Sequence, residues 1–267
     1  MPNTAYNNFY LANEIEDQLK SHLDLQKFCT VDDSLQGTAG MKYIVNVYKA
    51  TEGAEKLTEG QGNSKEIEVS FAPKEYEILL TQTRFKYTDE QELKDPMIVL
   101  TGTKQLGSDL YNTMNADIYK AFGETTLSHS ANNFSFATFV NAVALMDIEN
   151  IEDVSLFGFV HPSDEAKIRA ELNTSLQYVE AFVRQGYIGT VAGINLYTKK
   201  DAKKNQIIIA TKEAVTLFVK TGTEVEIPPR DSDNANTRTN YIYARKYYVV
   251  ALTHGNRAVK IEVTPGV

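Results

Sequence analysis

The residue types that most often perform catalysis are present in this sequence, but they do not fall into catalytic spacings. The four histidines, His22, His129, His161 and His254, are isolated from one another, so none forms the His-Glu-x-x-His pair of a zinc-binding helix. There is neither a Gly-x-Ser-x-Gly nucleophile turn nor a phosphate-binding Walker loop. Such histidines are typical of surface or locally hydrogen-bonded side chains, and we expect neither a catalytic nor a metal site.

Two stretches resemble ligand-binding motifs but depart from them at decisive positions. The glycines of Gly186–Gly193 follow a predicted helix and precede a predicted strand, whereas a phosphate loop must open a helix. A calcium loop starting at Asp231 would need glycine and glutamate where Asn236 and Ile242 stand. We interpret both stretches as turns and expect no bound cofactor.

A short run of lysines, Lys199–Lys204, is the most basic segment of the chain. It favours a solvated turn between strands over a nucleic-acid patch, because it has no interleaved aromatic residues. The net charge of −8 and the pI near 5.2 also argue against a dedicated nucleic-acid-binding protein. They leave open a protein that merely encloses nucleic acid.

Composition indicates a globular protein. The 267 residues are 42% hydrophobic and 23% charged, values close to the average for soluble domains. No apolar run has the length of a membrane span, and the first residues lack the pattern of a secretory signal. The single cysteine, Cys29, excludes an intrachain disulfide, which favours a cytoplasmic, reducing origin.

The first part of the chain predicts an arm followed by a long charged hairpin. Residues 1–40 are mixed, with a weakly helical patch at Asn13–Leu25. Lys42–Tyr48 and the alternating Ile67–Phe71 predict two strands. A further strand is predicted at about Glu75–Lys86, and Thr88 with Gln91 has the spacing of a capping box.

One long helix is predicted at Met97–Phe122. Apolar residues recur there at every fourth position and form a single stripe: Leu106, Leu110, Met114, Ile118 and Phe122. Asp95 and Pro96 are a typical helix start, and Gly102 implies a bend or an unusually close contact.

The rest of the chain mixes helices and strands. Helices are predicted at Phe136–Val143, from Pro162 to about Leu172, and at about Ser175–Gln185. Strands are predicted at Val154–Val160, Ile194–Tyr197, Gln206–Ala210, Ala214–Lys220, Glu224–Ile227, Tyr241–Leu252 and Ala258–Val263. The fold class is therefore α+β.

The order of these elements resembles the major capsid protein of tailed bacteriophages, the Hong Kong 97 capsid fold. The resemblance runs from about residue 30 to 265 and depends on a succession of weak local features: the loop sequence Ala54–Gly60, the acidic Thr88–Glu90 before a helix, Phe159–Pro162 entering a helix, Gly186–Ile194, and Arg230–Asp231.

The resemblance implies an N-terminal arm (1–40), an E-loop hairpin (41–72), a peripheral domain with a spine helix (73–133 and 221–267) and an axial domain (134–220). It also implies self-assembly into hexamers and pentamers of an icosahedral head that encloses double-stranded DNA. The expected location is the virion capsid, assembled in the host bacterial cytoplasm, with portal, scaffold or decoration proteins as further partners and no membrane. A separate scaffold, or none, is expected because no long N-terminal scaffolding segment is present.

The hairpin is the predicted inter-subunit site. Its charged residues are Glu52, Glu55, Lys56, Glu59, Lys65 and Glu66. Because acidic residues dominate, we expect it to dock near basic residues of a neighbouring peripheral domain, and the candidates are Arg230, Arg238, Arg245 and Lys246. Some of these phages cross-link their capsid subunits covalently through a lysine and an asparagine. In this chain Lys56 or Lys65 would have to join Asn234 or Asn236, a pairing that the sequence does not favour.

Two alternatives remain at this stage. An encapsulin, the shell of a cellular compartment, has the same fold, and nothing in the sequence separates the two. A soluble β-rich binding or tail-tube-like protein would instead form monomers or stacked rings.

Overall fold

A computed structural model describes residues 23–37, 40–50, 54–60, 62, 64–149, 154–175 and 190–264. Residues 1–22 of the predicted arm, the predicted helix at about 175–185 and most of the glycine-rich stretch 186–193 lie outside the described residues.

The described residues form five α-helices and twelve strands. The helices are α1 (Asp89–Lys94), α2 (Ile98–Gly123), α3 (Phe136–Ala144), α4 (Pro162–Ser175) and α5 (Ser232–Asn236), with short 3-10 turns at Leu25–Phe28 and Gly255–Arg257. The strands are β1 (Thr30–Asp32), β2 (Lys42–Ala50), β3 (Val69–Glu77), β4 (Leu79–Thr88), β5 (Ser128–Ala131), β6 (Leu156–Val160), β7 (Thr190–Val191), β8 (Ile194–Thr198), β9 (Gln206–Thr211), β10 (Val215–Glu226), β11 (Thr239–Leu252) and β12 (Ala258–Val263).

The predicted hairpin is confirmed as the antiparallel pair β2 and β3, but it is longer than expected. Its second strand runs to Glu77, past the predicted boundary at 72, and Pro73 pairs with Asn46 inside the ladder. In a two-stranded ribbon both strands are edges, so a proline without an N–H is tolerated there. The strand predicted at about Glu75–Lys86 is therefore wrong at its start, because Glu75–Glu77 belong to β3 and β4 begins at Leu79.

A four-stranded sheet has the order β1-β10-β11-β4. The two strands predicted at Ala214–Lys220 and Glu224–Ile227 are one strand, β10, with irregular pairing between Val219 and Glu224. The polar residues around Gly222 had suggested a break, but the chain absorbs them as bulges in a continuous strand. This sheet ends at β4, which is therefore an edge strand.

A six-stranded sheet has the order β5-β12-β9-β6-β8-β7. It takes β5 and β12 from segments assigned to the predicted peripheral domain, while β10 crosses the predicted boundary between residues 220 and 221. The six-stranded sheet thus combines strands from both predicted domains. The sequence did not show this, because the strands that pair are distant from one another in the chain. The division into domains remains a prediction.

The long helix α2 packs between these elements as the sequence indicated. The predicted stripe of Leu106, Leu110, Met114, Ile118 and Phe122 is buried along its whole length, each at 4% exposure or less. The helix begins at Ile98, not at Pro96, because the Asp95 carboxylate accepts the Met97 N–H at 3.0 Å and closes a turn before the helix.

Two other local predictions about this region are confirmed. A Cβ built on Gly102 would lie 2.3 Å from the ring of Phe85, so this glycine marks a very close contact between the helix and β4. Thr88 and Gln91 form the predicted capping box at the start of α1. The capping box arises from local chemistry that a sequence can display, whereas the partner of Gly102 is a residue of another element, which the sequence did not name.

Candidate inter-subunit site

The loop of the hairpin is organised around Glu55. Its carboxylate accepts the Ser64 backbone N–H and the Ser64 hydroxyl, each at 2.8 Å. These donors hold the pKa of Glu55 below its ordinary value. Lys56, Glu59, Lys65 and Glu66 are exposed, and Glu52 lies outside the described residues.

The hairpin contacts the body of the chain at its root. Tyr43 packs on Phe218 with ring centroids 4.1 Å apart, and the Tyr76 hydroxyl donates to the Leu252 carbonyl at 3.3 Å. Beyond the root the hairpin exposes large apolar side chains: Leu57 (49%), Ile67 (64%) and Val69 (61%). Since a lone hairpin is only marginally stable in water, these side chains form a surface that another chain would cover.

Two of the predicted receiving residues, Arg230 and Arg238, lie beside the start of α1. The Arg230 guanidinium pairs with Asp89 and also donates to the Asn240 side chain at 2.9 Å. This pairing holds the pKa of Asp89 below its ordinary value. Arg238 lies 3.6 Å from the Glu90 carboxylate. Both arginines therefore already have acidic partners within the chain.

The other two, Arg245 and Lys246, lie further along β11. Arg245 pairs with Glu226 of β10 and stands over the Tyr243 ring at 5.9 Å. Lys246 is half-buried opposite Thr81. The predicted receiving residues thus form two groups, and the charge of all three arginines is partly neutralised within the chain.

Sequence reasoning missed a second group, which we call the β4 patch: Leu80, Arg84 and Lys86, which lie on one face of β4. Leu80 is 44% exposed, and Arg84 and Lys86 are exposed without an acidic partner among the described residues. Arg84 stands over the Tyr241 ring at 5.8 Å. The exposed residues alternate from Leu80 to Lys86, and the polar side chains at every second position, Gln82, Arg84 and Lys86, are the sequence signal that could have identified this surface.

The segment that leads into the predicted arm is fixed to α2. Asn115, 6% exposed, accepts the Leu25 N–H and donates to the Leu23 carbonyl, both at 3.3 Å. Nearby, Phe28 packs edge-on against Phe157 at 5.0 Å and Tyr197 at 4.7 Å. The described segment that begins at Leu23 is thus fixed beside the long helix.

The residues considered for catalysis and covalent cross-linking are dispersed. His161 caps its own turn through Ser163 at 2.7 Å, and His254 lies 3.0 Å from the Glu213 carbonyl. Within the described part of the chain, no group of three or more His, Cys, Asp or Glu residues could hold a metal ion, and no helix is long and apolar enough to cross a membrane. Asn234 and Asn236 lie on α5.

Known proteins resemble this chain in sequence and in fold. No protein-family profile matches it. The major capsid protein of Staphylococcus phage phiMR11 is 25% identical over 258 residues, which are 94% of this chain and 91% of that protein.

Solved structures share the fold at lower identity. The virus-like particle from Pyrococcus furiosus has a TM-score of 0.65 at 12% identity, covering 96% of this chain and 99% of that chain. The capsid of an empty GTA particle has a TM-score of 0.69 at 11% identity, covering 90% of each chain. Together with the hairpin and the long buried helix, these likenesses show that the chain has the Hong Kong 97 capsid fold and resembles a phage major capsid protein over nearly its whole length.

Proposed function

We propose that this chain forms the hexamers and pentamers of an icosahedral phage head that encloses double-stranded DNA. The observation that carries the proposal is the hairpin, which exposes Leu57, Ile67 and Val69 to solvent while it touches its own chain at the root. Apolar groups arranged in this way favour contact with a second copy. Assembly would take place in the host bacterial cytoplasm, and portal, scaffold or decoration proteins would complete the head.

Within this proposal, the predicted segments have distinct roles. The peripheral domain (73–133 and 221–267) would receive a neighbour's hairpin, and the axial domain (134–220) would meet its copies around the capsomer axis. The arm, held at Asn115, would extend from beside the long helix. The DNA would be enclosed without sequence-specific binding, consistent with the net charge of −8.

We further propose that the receiving surface centres on the β4 patch and includes Lys246, with Arg230, Arg238 and Arg245 at its rim. The β4 patch offers both properties that the hairpin needs. Leu80 matches its exposed apolar side chains, and Arg84 and Lys86 match its acidic loop. Because exposed ion pairs contribute little individually, the charges would set the register and the apolar contacts would supply most of the affinity.

Charge reversal on the hairpin tests this arrangement. Glu59→Lys with Glu66→Lys should prevent or sharply reduce shell formation, observed by electron microscopy, while the circular dichroism of the unassembled chain stays unchanged. The matched control is Glu149→Lys with Glu213→Lys, which makes the same change of charge at exposed positions away from the hairpin. Normal shells from the hairpin variant would refute the docking hypothesis.

A second candidate is an encapsulin-type compartment, favoured by the nearly complete mutual coverage with the virus-like particle from Pyrococcus furiosus. The contents of purified shells distinguish the two functions. Double-stranded DNA supports a phage head, and a packaged cellular protein supports a compartment. Stacked rings or monomers in place of closed shells would favour the tail-tube-like alternative.

A further inference from the structure

The lysine run Lys199–Lys204, here called the basic turn, connects β8 to β9. Lys200, Lys203 and Lys204 are exposed, and none has an acidic partner among the described residues. Lys199 differs, because it pairs with Asp201 at 3.3 Å and stands over the Tyr119 ring of α2 at 5.5 Å. One lysine therefore anchors the basic turn on α2, and three lysines point their charge toward solvent.

The backbone of the basic turn is held in place by a buried carboxylate. Asp164 of α4 is 0% exposed and accepts the Asn205 N–H at 2.5 Å. Lys167 bridges the same two residues, with its amine 2.9 Å from Asp164 and 2.8 Å from the Asn205 side chain. Asn205 itself adopts a positive φ of 58°, a conformation that needs such support. The three free lysines thus project from a fixed platform.

Paired charges on α4 lie beside the basic turn. Lys167 is half-exposed beside it, and Arg169 follows on the same helix in a pair with Glu165. Asp164, Glu165 and Asp201 are paired with Lys167, Arg169 and Lys199, and the exposed Glu262 accepts a hydrogen bond from Gln206 at the start of β9, so the surplus positive charge belongs to Lys200, Lys203 and Lys204. A concentrated positive surface in a chain of net charge −8 attracts polyanions.

The basic turn differs from the β4 patch in a way that indicates its partner. No large apolar residue is strongly exposed anywhere in residues 190–264, so the turn lacks the apolar contacts that a protein hairpin would need. Lysines act as mobile point charges that suit phosphate groups without reading sequence. The chemistry therefore favours the backbone of a nucleic acid over an acidic protein segment.

We propose that Lys200, Lys203 and Lys204 contact the phosphate backbone of the nucleic acid inside the assembled shell. This inference rests on the proposed function, because only a shell subunit would hold nucleic acid against this surface. Binding is electrostatic and independent of sequence, with one phosphate neutralised per lysine. This binding requires that the basic turn face the lumen of the shell.

The test measures binding of the unassembled chain to a fluorescent DNA duplex at several salt concentrations. With about three phosphates contacted, the affinity should fall about 40-fold between 50 and 200 mM salt, from a slope of about 0.9 per phosphate. The variant Lys200→Gln, Lys203→Gln and Lys204→Gln should lose most of this binding and most of the salt dependence. The control Lys27→Gln, Lys94→Gln and Lys212→Gln carries the same change of charge on exposed lysines elsewhere and should bind as the wild type does.

Equal binding by the two triple variants would overturn the proposal. The proposal would also be overturned if the wild-type chain did not bind DNA but bound a synthetic peptide of residues 54–66 through the basic turn. The turn would then be a protein-docking surface. Electron microscopy of the wild type and of both triple variants, each under conditions that allow assembly, keeps the two hypotheses apart. Absence of shells from the wild type would refute the proposed function, whereas normal shells with unchanged DNA binding in the lysine variant would refute this inference alone.

Discussion

The hairpin exposes large apolar side chains, whereas the body of this chain buries them. In the body, Phe159 and Ile118 are fully buried between α2 and the sheets, while on the hairpin Ile67 and Val69 are more than half exposed. The body completes its own core, whereas the hairpin depends on a surface that its own chain does not provide. In a shell protein this division is expected, because stability belongs to the subunit and function belongs to the contacts between subunits.

The largest effect on stability should come from the body. Phe159→Ala removes a fully buried ring that contacts Phe122 and Phe28, and should lower the free energy of unfolding by about 3–5 kcal/mol. Urea denaturation of the unassembled chain, followed by circular dichroism, measures this loss. The matched hairpin variant, Val69→Ala, should change the free energy of unfolding by less than about 0.5 kcal/mol. Similar losses in the free energy of unfolding from the two variants would contradict this difference between the body and the hairpin.

A smaller effect is expected at the contact between α2 and β4. Gly102→Ala places a methyl group against the Phe85 ring, so the ring must move and overpacking should cost about 1–3 kcal/mol, partly offset by the better helix propensity of alanine. The control is Gly222→Ala, where a Cβ meets nothing within 4 Å. Thermal unfolding compares the two, and a stabilised Gly102→Ala variant would contradict the close contact.

The link between α2 and β11 predicts a pH dependence. The Tyr248 hydroxyl donates to Asp117 at 2.6 Å, and burial together with this bond raises the pKa of the Tyr248 phenol above its ordinary value. At alkaline pH the unfolded chain loses this proton before the folded chain does, so stability must fall as the pH rises past about 10.

The variant Tyr248→Phe tests this link. It should cost about 1 kcal/mol at neutral pH and flatten the alkaline loss, as measured by urea denaturation at pH 7 and pH 10.5. A variant with the same alkaline loss as the wild type would show that other tyrosines carry the effect.

The smallest effect belongs to the hairpin loop. Ser64→Ala removes the hydroxyl that donates to Glu55 but keeps the backbone donor. The pKa of Glu55 should therefore rise part of the way toward its ordinary value while global stability is unchanged. A titration followed by nuclear magnetic resonance measures this shift, and a pKa that does not move would show that the hydroxyl does not contribute.

What the sequence could predict depended on the distance between interacting residues. The stripe from Leu106 to Phe122 and the capping box at Thr88 are local patterns, and both are confirmed. The pairing of Arg230 with Asp89 joins residues 141 positions apart, so no local sequence pattern could predict it. For the same reason the sequence proposed three arginines as receivers without revealing that each already has an acidic partner.

The edges of strands were the other source of error. The hairpin boundary predicted at 72 falls inside β3, which continues through Pro73 to Glu77 because a two-stranded ribbon accepts a proline opposite Asn46. The membership of β12 in the six-stranded sheet depends on pairing with β9 and β5, which only the folded chain defines. The β4 patch became recognisable once the sheet order placed β4 at an edge.

The exposed apolar side chains of the hairpin are expected to make the contacts that hold subunits together in the shell. Electron microscopy of the purified wild type beside Ile67→Asp with Val69→Asp tests this claim most directly, with circular dichroism to confirm that both chains fold. Closed shells from the wild type and only folded, unassembled subunits from the variant are the predicted result. Intact shells from the variant, or no shells from the wild type, would contradict the claim.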